Sequence, residues 1–263
     1  MERLFHEGGL PEPEADAKWL VLGVLGWSAT DWLLRREEAL SAETVIRLRT
    51  LAARRLTREP LQWLLGEWEF MGLPFRTDRR GLVPRNDTEL VVRAALEAFP
   101  RGTSVLDWGC GSGCIGLSLA KLGDFRVTLA DISESALALA EENRQALGVS
   151  ARLCRWDMAA PAGEVFDCVI SNPPYIPRGE LSSLSPEVRK EPLSALDGGK
   201  DGLDFFRLLA ARTGDTLAPG GWLALEMGRG QFDRVAELFR FPLRPIPSLE
   251  GWPIGAIGRK PME

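Results

Sequence analysis

The chain has 263 residues, 45% of them hydrophobic and 26% charged, and a formal net charge of −5 from 32 basic and 37 acidic side chains. That length suits one catalytic-size domain with a smaller appendage, and the composition excludes a disordered or collagenous chain. The acidic balance argues against a broad nucleic-acid-binding surface, which needs clustered Lys and Arg to displace counterions.

The N-terminus, Met1-Glu2-Arg3, lacks the basic, apolar and small-residue pattern of a signal peptide. The apolar stretch Trp19 to Trp27 holds two glycines and falls short of the ~20 residues of a membrane span. A cytoplasmic protein without a membrane partner is expected. The only histidine, His6, lies in an end segment expected to fray, which argues against Ser-His-Asp, Cys-His and histidine-rich zinc chemistry. From Pro11 to about Leu65 apolar residues return every three or four positions (Trp19, Leu20, Leu22; Val45, Leu48, Leu51) between the candidate caps Asp31, Ser41 and Thr57. This predicts a small helical bundle. Arg47, Arg54 and Arg58 fall on one face of its last long helix, as a solvated charged face or a surface for an acidic protein. Residues 66–84, punctuated by Gly66, Gly72, Pro74, Gly81 and Pro84, read as a hairpin linker, and a helix follows from Asp87–Glu89 to Phe99.

After Arg101 strands alternate with helices: strand Ser104 to Asp107, helix from Cys114, strand Arg126 to Asp131, helix from Glu134, strands Ala151 to Arg155 and Phe166 to Ser171, helix from Leu203, strand Trp222 to Met227, helix from Phe232. The alternation predicts an α/β fold with a doubly wound, mainly parallel sheet, and puts ligands at the carboxyl ends of its strands. The tail carries Pro242, Pro245, Pro247 and Pro253 and is expected to form irregular edge strands. Cys110, Cys114, Cys154 and Cys168 show no Cys-x-x-Cys spacing and read as reduced structural thiols, with no metal site.

Strand-like Val105-Leu106-Asp107 runs into Trp108-Gly109-Cys110-Gly111-Ser112-Gly113 and then a helical pattern, so a nucleotide-like cofactor is expected on this loop. Asp131, at the end of the next strand, is placed to accept the hydroxyls of a ribose. The glycines admit two registers. Gly111 to Gly116 with Asp131 fits a dinucleotide fingerprint, whereas Asp107 to Gly113 reads Asp-x-Gly-x-Gly-x-Gly, the form of S-adenosylmethionine sites.

After Ser171 comes Asn172-Pro173-Pro174-Tyr175. Two prolines hold this corner extended and remove two donors, leaving the Asn172 side-chain oxygen and the Pro173 carbonyl as acceptors. Tyr175, the only tyrosine, offers a flat face. Two acceptors and a flat wall suit a planar NH₂ group, whose nitrogen could then be aligned on a methyl donor without any histidine.

Together these motifs resemble the peptide-release-factor glutamine N5-methyltransferases (HemK/PrmC type). The resemblance includes Glu59-Pro60-Leu61-Gln62-Trp63, Val83-Pro84-Arg85-Asn86-Asp87-Thr88-Glu89, the glycine loop, Asn172 to Tyr175, Glu191-Pro192, Gly198 to Leu203, Gly220-Gly221 and Glu226-Met227-Gly228. It implies a seven-stranded Rossmann-like methyltransferase sheet. It also implies methylation of the glutamine of the Gly-Gly-Gln motif of class-one release factors by S-adenosylmethionine, leaving S-adenosylhomocysteine. The implied cofactor residues are Asp107, Gly109, Cys110, Gly111, Ser112, Gly113, Asp131, Ile132, Asp157, Met158 and Asn172. Asn172, Pro173, Pro174, Tyr175, Arg85 and Glu89 would serve the substrate, with Asn172, Pro173 and Tyr175 catalytic and an Arg85–Glu89 pair buttressing the cleft. The implied organisation is a helical substrate-docking domain over 1–75, a hairpin over 66–84 and a methyltransferase domain over 85–263. Asn86-Asp87 departs from the family's usual Pro-Glu. Asn-Pro-Pro-Tyr is shared with adenine-N6 methyltransferases, but residues 1–75 carry nine basic and twelve acidic side chains, poorly suited to nucleic acid. A ribosomal-protein glutamine remains a second possible substrate.

Overall fold

The computed structural model describes residues 1–161 and 163–263, and they divide into two compact units. One comprises Met1–Glu67 with Ser185–Lys190, and the other Trp68–Leu184 with Glu191–Glu263. The hairpin after residue 67 therefore falls with the sheet unit, not within a helical domain extending to residue 75.

The first unit holds α1 (Glu2–Glu7), α2 (Pro13–Leu25), α3 (Ala29–Arg35), α4 (Ala42–Leu56) and α5 (Leu61–Leu65). Proline at its first turn starts α2, and Ser28 starts α3 by a capping box with Asp31, which is thus the third helical residue and not the cap. Ser41 caps α4 by accepting from Thr44 N. The expected frayed N-terminus is instead helix α1, held down by the buried Phe5, which packs with Leu20, Leu48, Ala52, Leu61 and Leu64. α4 ends before Thr57, so Arg58 lies off the helix with a positive φ of 66°. The three-arginine face is not a free one either: Arg54 pairs with Glu59, and Arg58 with Glu187 at 2.7 Å. Glu187 also accepts from the buried Arg55 at 2.8 Å, and Arg55 pairs with Asp16 at 2.9 Å.

The second unit begins at Trp68, one residue into a two-stranded hairpin of β1 (Glu67–Phe70) and β2 (Leu73–Arg76), followed by α6 (Asn86–Ala98). Then come β3 (Ser104–Trp108), α7 (Cys114–Leu122), β4 (Arg126–Asp131), α8 (Glu134–Leu147), β5 (Ala151–Arg155), β6 (Phe166–Ser171), α9 (Asp204–Thr216), β7 (Leu217–Glu226), α10 (Phe232–Ala236), β8 (Leu243–Pro247) and β9 (Pro253–Arg259). The sheet order is β5-β4-β3-β6-β7-β9-β8, parallel from β5 to β7, with β9 antiparallel to both its neighbours. Strands buried on both faces read as continuous apolar runs, as Val105-Leu106 and Val169-Ile170 do, and two apolar cores flank the sheet. The tail differs from expectation in one respect. Of the two tail strands β8 alone is an edge, whereas Ile254 to Gly258 of β9 are buried in an inner strand.

The chain winds outward from β3 through β4 to β5 on one side and from β6 to β7 on the other. The order thus reverses between β3 and β6, and the crevice over their carboxyl ends is where an open α/β sheet binds ligands. Ser171 Oγ donates to the Trp108 carbonyl at 2.5 Å, tying the two strand ends together.

Candidate active site

A cavity of about 770 Å³ opens at that crevice. Of the sequence-predicted residues, Gly109, Cys110, Gly111, Ser112, Asp131, Ile132, Asp157, Met158, Asn172, Pro173, Pro174 and Arg85 line it, so the glycine loop and the proline corner share one chamber. Asp107, Gly113, Tyr175 and Glu89 do not line it.

The glycine loop is wired to itself. Gly109 N and Cys110 N both donate to the Ala130 carbonyl, Gly113 N donates to Cys110 O, and Gly111 N donates to Asp131 Oδ2 at 2.9 Å. Gly109 and Gly111 hold φ of 79° and 53°, and a Cβ on either would meet nothing within 4 Å, so side chains there would project into open space at the wall. The start of α7 is spoken for as well, because Gly116 N donates to Asp107 Oδ2 at 2.8 Å. A carboxylate thus occupies the place where a dinucleotide's pyrophosphate would seek helix-terminal N–H groups. A buried carboxylate so close to the helix start disfavours a dinucleotide's pyrophosphate there. The geometry fits a nucleoside cofactor carrying positive charge, with two carboxylates nearby and no phosphate.

Asp107 is fully buried; its Oδ1 has no hydrogen-bond partner among the described residues, and burial pushes its carboxyl up to about 7 despite the Gly116 N–H. Asp131 Oδ1 accepts from Ser133 N at 2.9 Å, so both its oxygens are oriented by backbone and each keeps a lone pair for a hydroxyl. Beyond it Ile132, Trp156, Asp157 and Met158 wall the chamber; Trp156 packs on Trp108 with ring centroids 5.2 Å apart. Asp157 Oδ1 accepts from Ala159 N, which fixes that carboxylate as well.

On the other wall the Pro173 carbonyl accepts no backbone hydrogen bond among the described residues. Asn172 Nδ2 donates to Thr88 Oγ1 at 3.4 Å, so its Oδ1 points elsewhere. The flat face expected of Tyr175 is not on the cavity wall. Its hydroxyl donates to Glu226 Oε1 at 3.4 Å, its carbonyl accepts from Gln231 Nε2 at 2.9 Å, and burial raises its phenol. Tyr175 braces the corner from behind.

The Arg85–Glu89 pair does not form. Arg85 instead pairs with Glu191, while Glu89 accepts from Met71 N at 2.7 Å and approaches Arg93. The helix begins at Asn86, so Arg85 precedes the first turn and reaches sideways rather than along α6. Glu191, 5% exposed, also accepts from Val83 N at 2.9 Å, so one carboxylate joins the 83–85 wall to the Pro192–Ala195 wall. Burial raises this carboxyl, and Arg85 and the Val83 N–H oppose that rise. Thr88, Trp156, Glu191, Glu226 and Gln231 were not singled out from sequence. Thr88, Glu191 and Glu226 stood in motifs, but nothing local marked them as buried.

A parallel sheet whose strand order reverses between β3 and β6, a glycine loop braced by Asp107 and Asp131, and an Asn-Pro-Pro corner on the same chamber define a methyltransferase of the seven-stranded Rossmann-like class. Comparison with known proteins agrees: a family model described as "PrmC N-terminal domain" matches residues 1–66, and "Methyltransferase small domain" matches residues 86–185. A crystal structure of a methyltransferase from Pyrococcus furiosus shares the fold, with a TM-score of 0.55 and 21% identity over 84% of this chain and 100% of that one. The release factor glutamine methyltransferase of Geobacter sulfurreducens is 42% identical over 236 residues, covering 89% of this chain and 83% of the relative. That of Moorella thermoacetica is 43% identical over 248 residues, covering 90% and 86%. The chain belongs to the release factor glutamine methyltransferase family.

Proposed function

We propose that the protein transfers a methyl group from S-adenosylmethionine to the side-chain amide nitrogen of the glutamine in the Gly-Gly-Gln motif of class-one peptide chain release factors. The observation that carries this reading is the presence of Asn172 and Pro173 on the same cavity wall system as the glycine loop and Asp131, in a chain this similar to enzymes of that name. Asp131 would take the ribose hydroxyls, and Ile132, Trp156, Asp157 and Met158 the adenine. The loop from Gly109 to Gly113 would approach the cofactor's amino-acid end, and Asp107 would set a negative potential behind it. When bound, S-adenosylmethionine supplies a methyl group on a positive sulfur and departs as the neutral thioether S-adenosylhomocysteine.

The protein's own part is alignment. An amide nitrogen is a poor nucleophile because its lone pair is conjugated with the carbonyl. Asn172 Oδ1 and Pro173 O, accepting the two N–H bonds of the substrate amide, would hold the nitrogen edge-on to the donor and favour the pyramidal geometry in which the lone pair is available. The positive charge growing on nitrogen strengthens both hydrogen bonds as reaction proceeds, so they act more on the transition state than on the bound amide. The nitrogen's extra proton passes to solvent water with or after methyl transfer, leaving the neutral N-methyl amide. The helical unit is proposed to dock the release factor, a role supported by exposed Leu33 and Leu34 on α3 and Ile46 on α4.

The test is incubation with labelled S-adenosylmethionine and purified release factors, followed by peptide mass spectrometry. One methyl on the Gly-Gly-Gln glutamine is expected. Release factors that carry no methyl on that glutamine after the reaction overturn the assignment.

A further inference from the structure

Asn172 can serve as proposed only if its amide presents oxygen, not NH₂, to the cavity. The two ends of a carboxamide are nearly the same shape, so packing alone cannot choose between them. The choice must come from hydrogen-bonding groups behind the side chain, and the structure provides a chain of them whose direction is fixed at its far end.

Glu226 is the last residue of β7 and lies level with Asn172, since Leu225 pairs in register with Ser171. It is 3% exposed, its Oε1 accepts from the Tyr175 hydroxyl, and its buried Oε2 has no hydrogen-bond partner among the described residues, while the nearby Thr88 and Asn172 side chains pull its carboxyl down against burial. Thr88, 2% exposed on the first turn of α6, receives Asn172 Nδ2 on its hydroxyl oxygen. An ionised carboxylate can only accept hydrogen bonds. Beside a carboxylate with an unsatisfied oxygen, the Thr88 hydroxyl would turn its single proton toward Glu226 and keep its lone pairs for the Asn172 NH₂, and that NH₂ would itself be drawn to the carboxylate side, which leaves Oδ1 for the cavity.

We propose that Glu226 is a positioning residue for Asn172, acting together with Thr88: its buried carboxylate orients the Thr88 hydroxyl and the Asn172 NH₂ so that Asn172 offers its carbonyl oxygen to the substrate amide. The proposal rests on the reading of Asn172 as the glutamine-binding residue. A protonated Glu226 gains a donor, the Thr88 hydroxyl is free to turn, and the Asn172 amide loses its bias. Burial raises this carboxyl to about 7. The titratable and charged groups around it are Asp87 on α6, whose charge raises it further, Cys114 on α7, and Tyr175, itself influenced by Arg85. The Cys114 thiol is pushed up to about 12 and the Tyr175 phenol is raised as well, so both stay neutral near pH 7. β9 faces Glu226 with Gly255 and adds no charge.

The test compares Glu226→Gln, Thr88→Val and Asn172→Ala in the full chain with a release factor as substrate. Glu226→Gln and Thr88→Val are expected to lower kcat about 10-fold or more at pH 8, with cofactor affinity by calorimetry unchanged. Both should lose the fall in kcat below pH 7 expected of the parent, and the double variant should be no worse than either single one. A second readout needs no turnover: in ¹⁵N-asparagine-labelled protein the Asn172 NH₂ resonances should titrate near pH 7 in the parent and not in Glu226→Gln. If both variants keep the parent's kcat and acid limb, or their effects multiply, or the resonances do not titrate, the relay is refuted. If Asn172→Ala itself keeps full turnover, the fault lies in the underlying reading instead.

Discussion

Asn172 and Asp131 divide the proposed site into separable tasks. Asn172→Ala removes one positioned transition-state contact and is expected to lower kcat ~10²-fold or more while calorimetry finds cofactor binding intact. Asp131→Ala is expected to act first on the cofactor, because it removes acceptors and also releases Gly111 N and Ser133 N. Hydrogen bonds to a charged group are worth about 1.5–3 kcal/mol each, so Kd should rise at least ~10-fold. Asp107 adds a pH effect. Its folded pKa of about 7 lies above the unfolded value, so its contribution to stability is full below the unfolded pKa and is lost as pH rises through 7. Asp107→Asn, whose amide oxygen can still accept from Gly116 N, should therefore raise the thermal midpoint at pH 8 and flatten its decline above pH 5. It should weaken cofactor binding as well, and an unchanged midpoint–pH profile would defeat the account. At this scale the sequence was legible where residue chemistry is rare and local. Asn-Pro-Pro-Tyr after a strand and Asp131 after the next one are such signals. Thr88, Glu191 and Glu226 act through partners 84, 106 and 51 positions away, which no local pattern encodes. The side of the corner on which Tyr175 lies was decided by Glu226 and Gln231, not by its own flanks.

Elements were more legible than their placement. β4, β5 and β6 and the starts of α7, α8 and α10 coincide with the pattern because buried parallel strands and amphipathic helices have different periods. β7 begins at Leu217, five residues ahead of its expected start, because Pro219-Gly220-Gly221 interrupt the apolar run that periodicity detects. The inner place of β9 was hidden, since strand order is set by pairing and not by the strand's own composition. Helix α7 offers a test of packing against propensity. Replacing Gly116 by Ala should favour the helix by up to ~1 kcal/mol. The new Cβ, however, would lie 2.4 Å from Leu129 Cδ2 and 2.9 Å from Asp107 Oδ2. Overpacking of a tight core costs about 1–3 kcal/mol, so the net effect of Gly116→Ala should be loss of stability in urea titration. A stabilised variant would show that β4 and Asp107 yield more readily than the contacts imply.

Across the whole chain, the segment Ser185–Lys190 interrupts the sequence of the sheet unit yet belongs to the helical one, so the polypeptide passes between units three times. What holds that segment is electrostatic: Glu187 is gripped by Arg55 and Arg58, and Arg55 is shared with Asp16 on α2. The Arg55, Asp16 and Glu187 side chains are 6%, 9% and 16% exposed, so desolvation weighs heavily; it raises the Asp16 carboxyl even against the Arg55 guanidinium. Buried networks of this kind cost much to break and little to replace. Arg55→Met alone strands Asp16 in an apolar setting and should destabilise α2 and α4 by ~3–5 kcal/mol, read as faster amide hydrogen exchange. Adding Asp16→Leu removes the stranded charge, and Arg58 still holds Glu187, so the double variant should recover most of that protection. The single-variant defect should also shrink in acid, because protonating Asp16 removes the charge that Arg55 balanced. Additive losses in the two variants would mean that Arg55 and Asp16 stabilise the unit through separate contacts and that the network does not tie Glu187 to the helices as a whole.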